Sequence, residues 1–193
     1  MMFQIFAITV LAAFYGCYVV KMICQKRKGI QTDQMGKGKA GFVKLIEVTM
    51  KISAFLVFFV GVVCIFLNVS YVTVPIRIIG AVISVAGTAV FITAVVTMRD
   101  SWRAGVSQTD KTELVTSGIY QFSRNPAFLG FDLLYTGILL MFFNWILCVV
   151  SIFAILMYHL QIVKVEEEFL LTTFGDEYLK YQKKVCRYIG RVR

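Results

Sequence analysis

Three short stretches concentrate the residues able to bind or transform a polar molecule: Ser101 to Gly105 (SWRAG), Leu114 to Gly130 (LVTSGIYQFSRNPAFLG) and Glu166 to Arg187 (EEEFLLTTFGDEYLKYQKKVCR). Carboxylates at Glu166 and Glu167, a guanidinium at Arg124 and rings at Tyr120, Phe128 and Tyr178 supply both signs of charge beside flat apolar surfaces. Those residue types suit the binding of a small ligand that carries charge and a planar group. No Ser/His/Asp or Cys/His arrangement accompanies them, so covalent catalysis by a side chain of the protein is not indicated. The five cysteines, Cys17, Cys24, Cys64, Cys148 and Cys186, contain no CxxC pair, and His159 is the single histidine. No zinc or disulfide framework is expected from them.

The elements that must position these stretches are membrane helices. Of the 193 residues 59% are apolar and mean hydropathy is +0.76, well above the roughly 45–50% apolar content of soluble domains. The net charge of +9 does not point to nucleic acid, because the basic residues sit in short segments between apolar runs instead of lining one soluble face. They read as topology signals and as contacts with anionic lipid head groups. Apolar segments near the roughly 20 residues needed to cross a bilayer run from Phe3 to Val20, Leu45 to Leu67, Ile76 to Met98, Ala127 to Phe143 and Trp145 to Val163. The fourth is short and carries Asp132; the fifth carries His159 and Gln161 and runs on into a polar helix. Met1 to Val20 bears no charged side chain, so it lacks the positive n-region of a cleaved signal and is expected to stay as a helix.

Seven Lys and Arg residues, Lys21, Lys26, Arg27, Lys28, Lys37, Lys39 and Lys44, stand against one Asp33 between the first two segments, which places that loop in the cytoplasm. The uncharged loop from Asn68 to Pro75 and the hairpin at Asn144 and Trp145 then fall outside, with the N-terminus outside and the C-terminus cytoplasmic. The expected fold is all-α, a polytopic membrane bundle of about five transmembrane helices with a polar cytoplasmic helical tail, as one membrane domain over residues 1–193. Gly175 should divide that tail into a helix ending near Phe174 and an amphipathic helix from Asp176. Its stripe of Phe169, Leu170, Phe174, Tyr178, Tyr181 and Val185 would lie on the bilayer surface or on the bundle. Gly80, Ser84 and Thr88 form a small-residue stripe suited to close helix packing. The loop from Gln31 to Gly41, with three glycines and three charges, is expected to be mobile.

The second stretch resembles the G-x-Y-x-x-x-R-H-P-x-Y-x-G motif of the isoprenylcysteine carboxyl methyltransferase and phospholipid methyltransferase family, through Gly118, Tyr120, Arg124, Pro126 and Gly130. The third is similar to the same family's E-E-x-x-L-x-x-x-F-G-x-x-Y-x-x-Y-x-x-x-V-x-R motif, through Glu166, Glu167, Leu170, Phe174, Gly175, Tyr178, Tyr181, Val185 and Arg187. Asn125 stands where the motif has histidine, Phe128 where it has tyrosine, and Gly190 near where a proline often closes the pattern. The resemblance covers residues 99–193 and implies that this half binds a cofactor, while residues 1–98 supply three transmembrane helices. It implies an S-adenosylmethionine-dependent methyltransferase acting on a carboxylate or amine of a lipid-like or prenylated acceptor. The cofactor-binding residues it implies are Gly118, Tyr120, Arg124, Asn125, Pro126, Phe128, Gly130, Glu166, Glu167 and Tyr178, with Arg124 and Glu167 central to catalysis. Glu166 and Glu167 would take the amine or ribose hydroxyls, Arg124 the carboxylate, and Tyr120, Phe128 or Tyr178 the adenine. Metal has no part in it.

Plainer readings compete at several of these positions. Asn125 and Pro126 also make an ordinary helix start. Asp132, an acid inside an apolar helix, either faces the cofactor cavity or is satisfied elsewhere; His159 reads first as a satisfied bundle histidine. Trp102 and Arg103 also serve as an interfacial anchor. A sterol-reductase-type enzyme using NADPH shares an Arg-His-Pro-type motif, but the Glu-Glu-x-x-Leu-x-x-x-Phe-Gly tail speaks against it. A non-catalytic membrane protein is the third alternative.

Overall fold

The computed structural model describes residues 1–106 and 113–192. Six helices follow in order: α1 (Met2–Arg27), α2 (Gly41–Leu67), α3 (Val74–Met98), α4 (Pro126–Met141), α5 (Trp145–Gln161) and α6 (Glu167–Gln182). Short 3-10 turns lie at Arg99–Ser101 and Gly118–Gln121, and a π turn, Ile162–Glu166, joins α5 to α6. Each expected apolar segment is a helix. α1, α2 and α3, of 26, 27 and 25 residues, are each longer than the roughly 20 residues that the hydrocarbon layer requires. α4 has 16 residues and is the shortest of the five. The helix from Trp145 continues to Gln182, 38 residues in all. The run up to Phe174, before the break at Gly175, is about 45 Å at 1.5 Å per residue, half again the hydrocarbon thickness. Only its apolar part, α5, crosses the bilayer, and the polar remainder projects beyond it.

Phe55, Phe66, Val82, Val149 and Ile152 are all more than half exposed on the outward faces of their helices. Such a surface suits lipid, and the helices satisfy their own backbone groups as a bilayer demands. Since lipid is as apolar as leucine, α3 and α4 associate by close contact instead of by the hydrophobic effect. A Cβ on Gly137 would stand 2.6 Å from the Gly80 carbonyl and from the Ser84 amide nitrogen, and one on Gly130 would stand 2.7 Å from the Phe91 Cβ. The stripe read at Gly80 and Ser84 is therefore a helix seam, with Gly87 as its next member; Thr88 turns its hydroxyl back onto the Ser84 carbonyl at 2.9 Å. An aromatic cluster joins α1 to this pair, with Phe14 and Phe91 stacked at 4.1 Å and Phe131 and Trp102 set edge-on.

The α1–α2 loop differs from its expected mobility. Gln34 donates its amide to the Ala104 carbonyl at 2.8 Å, and Ala104 donates to Thr32 at 2.9 Å. Gln25 holds the Trp102 carbonyl at 2.9 Å while accepting from the Thr32 hydroxyl. Lys51 pairs with Asp33, and Lys39 pairs with Glu47. Gly36 and Gly38, at φ +73° and +67°, serve turns that a side chain would strain. The glycines shape the loop; they do not loosen it.

Gly137→Leu should force α3 and α4 apart, cost about 1–3 kcal/mol and lower the thermal midpoint in detergent. Gly16→Leu, at a position where a Cβ meets nothing within 4 Å, should leave the midpoint unchanged.

Candidate functional site

One carboxylate gathers the polar half of the chain. Glu167, in the first turn of α6, accepts from Arg187 Nε and Nη2, each at 2.9 Å, in a bidentate fork. Its Oε1 also meets Arg124 Nη1 at 3.0 Å, where the Arg124 and Glu167 side chains are 9% and 13% exposed. Arg124 Nη1 further donates to the Tyr178 hydroxyl at 3.0 Å, and the Tyr178 ring is buried. Tyr181 donates its hydroxyl to the Tyr120 carbonyl at 2.6 Å. The residues after α6 return to the same place: Arg124 donates its amide to Cys186 at 3.1 Å, and Gly190 donates to Phe122 at 2.8 Å. Asn125 occupies the N-cap of α4 without a side-chain cap bond. Its Nδ2 instead donates to the Arg187 carbonyl at 3.1 Å. A neutral amide is sufficient for that duty, which accounts for the asparagine in structural terms.

The amphipathic stripe of the tail packs inward. Gly175, at φ 50° and ψ −122°, breaks the helix so that Tyr178, Tyr181 and Val185 form a small core with Leu114, Leu170 and Phe174. Above that core lies a polar cavity of about 130 Å³, lined by Tyr120, Arg124, Asn125, Phe128 and Glu166 together with Phe169 and Phe174. An open trough of about 1150 Å³ adjoins it through Ser101, Arg103 and Leu114 and includes Gly118 on its wall. Within the bundle is an apolar cavity of about 450 Å³, lined among others by Tyr15, Met50, Phe58, Phe131 and Tyr158. It shares Trp102, Arg103, Gly105, Ala127 and Phe128 with the polar cavity. Val19 and Phe55 line it and are also 44% and 65% exposed on the lipid face, so it opens sideways between α1 and α2.

Five expected site residues, Tyr120, Arg124, Asn125, Phe128 and Glu166, thus meet in one cavity. Glu167 and Tyr178 do not line it; they hold Arg124 in place. Gly118 lies on the trough at φ +59°, and Pro126 opens α4. Gly130 belongs to the α3–α4 seam and not to the cavity. Asp132 does not line the cavity either and lies within electrostatic reach of Tyr188. His159 Nδ1 is hydrogen-bonded to the Tyr188 hydroxyl at 2.7 Å. Residues missed in the sequence are Glu47 and its partner Lys39; the signal was a carboxylate early in an apolar run.

The cavity wall combines a neutral phenol with an incompletely paired guanidinium. Burial pushes the Tyr120 phenol well above its ordinary range, with Tyr181 and Glu166 acting in the same direction, so it stays neutral. Arg124 Nε is a buried donor with no hydrogen-bond partner among the described residues, an arrangement that leaves room for an anionic group. An orphaned guanidinium N–H, a carboxylate and phenylalanine rings match in chemistry the carboxylate, amine and adenine of S-adenosylmethionine, and a ligand of that size would also occupy part of the adjoining trough.

The chain is thus a membrane-spanning helical bundle in which a cavity lined by Arg124 and Glu166 abuts a larger apolar one. The family model for phospholipid methyltransferases matches residues 55–177, more than half of the chain, and the chain belongs to that family. It is 36% identical over 72 residues to a protein-S-isoprenylcysteine O-methyltransferase of Saccharomyces cerevisiae, covering 37% of this chain and 30% of that protein. The protein of the same name from Schizosaccharomyces pombe is 33% identical over 72 residues, again 37% of this chain and 30% of the relative. That from Mus musculus is 35% identical over 83 residues, 42% of this chain and 29% of the relative. The chain spans less than a third of the length of these curated relatives.

Arg187→Ala should remove the fork on Glu167 and lower stability by about 1–3 kcal/mol, read as a drop in thermal midpoint. Arg187→Lys should recover only part of it, because an ammonium cannot reproduce the planar pair of bonds.

Proposed function

We propose that this chain is a membrane-embedded S-adenosylmethionine-dependent methyltransferase that methylates a carboxylate or amine of a lipid-like or prenylated acceptor. The observation that carries this reading is the shared wall: Trp102, Ala127 and Phe128 belong both to the polar cavity and to the apolar one that opens toward lipid. A soluble cofactor and a lipid-soluble acceptor need such a meeting place. The relatives are protein-S-isoprenylcysteine O-methyltransferases, which favours a prenylated-cysteine acceptor methylated on oxygen.

When bound, S-adenosylmethionine supplies a methyl carbon activated by the adjoining sulfonium. Arg124, through the buried Nε, would meet the carboxylate of the cofactor, Glu166 its amine or ribose hydroxyls, and Phe128 and Phe174 would offer rings to its adenine. Glu167 acts on the geometry, since it fixes the guanidinium of Arg124 from one side while Arg187 fixes Glu167 from the other. Phe128 and Trp102 line both cavities and would exclude water where the acceptor approaches. No nucleophile from the protein is needed. Orientation and exclusion of water supply the acceleration that a displacement at carbon requires.

We further propose an orientation with the N-terminus outside and the tail in the cytoplasm, supported by the basic α1–α2 loop and the uncharged α2–α3 turn. An impermeant maleimide should label Val72→Cys in intact cells and Lys37→Cys only after permeabilisation. The reverse pattern would invert the topology.

Calorimetric titration of the detergent-purified protein with S-adenosylhomocysteine should show binding, and NADPH none. Glu166→Gln should weaken S-adenosylhomocysteine binding by about tenfold or more without lowering the thermal midpoint. Binding of NADPH alone would replace this reading with a reductase.

A further inference from the structure

Glu47 is a carboxylate near the start of a membrane-crossing helix, and it is fully buried. In a site that dry a carboxylate needs both a counter-charge and hydrogen bonds. Three other parts of the chain provide them. Lys39, whose side chain is 3% exposed, forms an ion pair with Oε1. Gly36 donates its amide to Oε2 at 2.6 Å, and Gln161, the last residue of α5, donates from Nε2 toward Oε1 at 3.4 Å. Glu166, on the wall of the polar cavity, is pushed up to about 7 by burial and by the Glu47 carboxylate, while Gln161 and Lys39 act in the opposite direction. Two carboxylates therefore share one amide and one ammonium.

Pinning the loop would need only Lys39, Gly36 and Glu47. It does not account for Gln161, whose Oε1 is buried with no partner among the described residues, nor for the second carboxylate beside it. Two acids that feel each other's charge in low dielectric do not both ionise readily unless a cation balances them. Arg103, Glu113 and Arg124 face the same cavity, but they line it and would be engaged by a ligand; Lys39 does not line it. The loop that carries Lys39 also places Met35 on the wall of the apolar cavity, so one segment touches both compartments.

We propose that Lys39 is a positioning residue for the cofactor site: by pairing with Glu47, which Gln161 also contacts, it favours the carboxylate form of Glu166 in the cavity wall, and so sets affinity for a ligand's ammonium group. This rests on the reading of Glu166 as the group that meets the amine of S-adenosylmethionine. Lys39 touches neither cofactor nor acceptor.

The test is calorimetric titration of S-adenosylhomocysteine into the full-length protein in detergent, with the thermal midpoint of each variant recorded alongside. Lys39→Met should weaken binding by about tenfold, and Lys39→Arg should keep it within about threefold. Lys39→Met combined with Glu47→Gln, which leaves the ion pair broken but removes the competing carboxylate, should regain most of the lost affinity. Wild-type affinity in Lys39→Met would overturn the proposal. So would a double variant as weak as the single one with a midpoint that falls in parallel, since that is the behaviour of a loop pin alone. A wild-type protein that binds no S-adenosylhomocysteine would remove the cofactor reading itself, an outcome distinct from a normal wild type with an indifferent Lys39 variant.

Discussion

The polar half of this protein depends on a single carboxylate shared between two guanidiniums. Glu167 begins α6, Arg124 precedes α4, and Arg187 lies beyond the end of α6. None of the three is near another in the chain, so their convergence closes the segment from the Gly118–Gln121 turn to the tail into one unit. The backbone bonds from Arg124 to Cys186 and from Gly190 to Phe122, and the Asn125 amide on Arg187, follow from that closure. Fork geometry makes the arrangement directional as well as strong. Arg124 can therefore present its remaining N–H to the cavity without losing its place.

The membrane half obeys a different rule. Lipid offers neither hydrogen bonds nor a reason for apolar helices to cluster, so contact distance does the work that burial does in water. Four glycines bring the backbones of α3 and α4 together, and α4 is then held rigidly enough for its first turn to carry Ala127 and Phe128 between the two cavities. α1 leans on the pair through Phe14 and Phe91, leaving the side opening near Val19 and Phe55. A close-packed seam on one side and a side opening on the other suit the proposed activity, which needs a stable cofactor cavity and a way in for a lipid-borne acceptor.

Much of this was legible in the sequence, because lipid and water sort residues along the chain. The apolar runs marked every membrane helix, the small-residue stripe marked the seam, and Gly175 marked the break in the tail. Cross-chain pairing was not legible. Glu167 read as a ligand contact because a carboxylate next to another in a motif carries no sign of the arginine twenty residues later that takes both its oxygens. Glu47 disappeared into an apolar average, although one buried charge matters more than its neighbours' hydropathy. The Gln31 to Gly41 loop read as mobile since glycine permits both freedom and tight turns, and only the partners of Thr32, Gln34 and Lys39 decide between them. Asn125 read as a cofactor contact or a helix cap; it lines the cavity, and its side chain bonds a carbonyl of the tail instead of capping α4.

The π turn at Ile162–Glu166 sets the phase of everything below it. In an unbroken α-helix, residues five apart point about 140° away from each other; the wider turn brings Gln161 and Glu166 toward one side instead. Taking one residue out of that turn would restore the ordinary screw and swing the polar tail by about 100° about the axis of α5. Glu167 would then face away from Arg124, and the cavity would lose its acid wall with every site residue still present in the chain. A single surplus residue thus acts as the angular offset between the part of the molecule that belongs to the lipid and the polar part that projects beyond it.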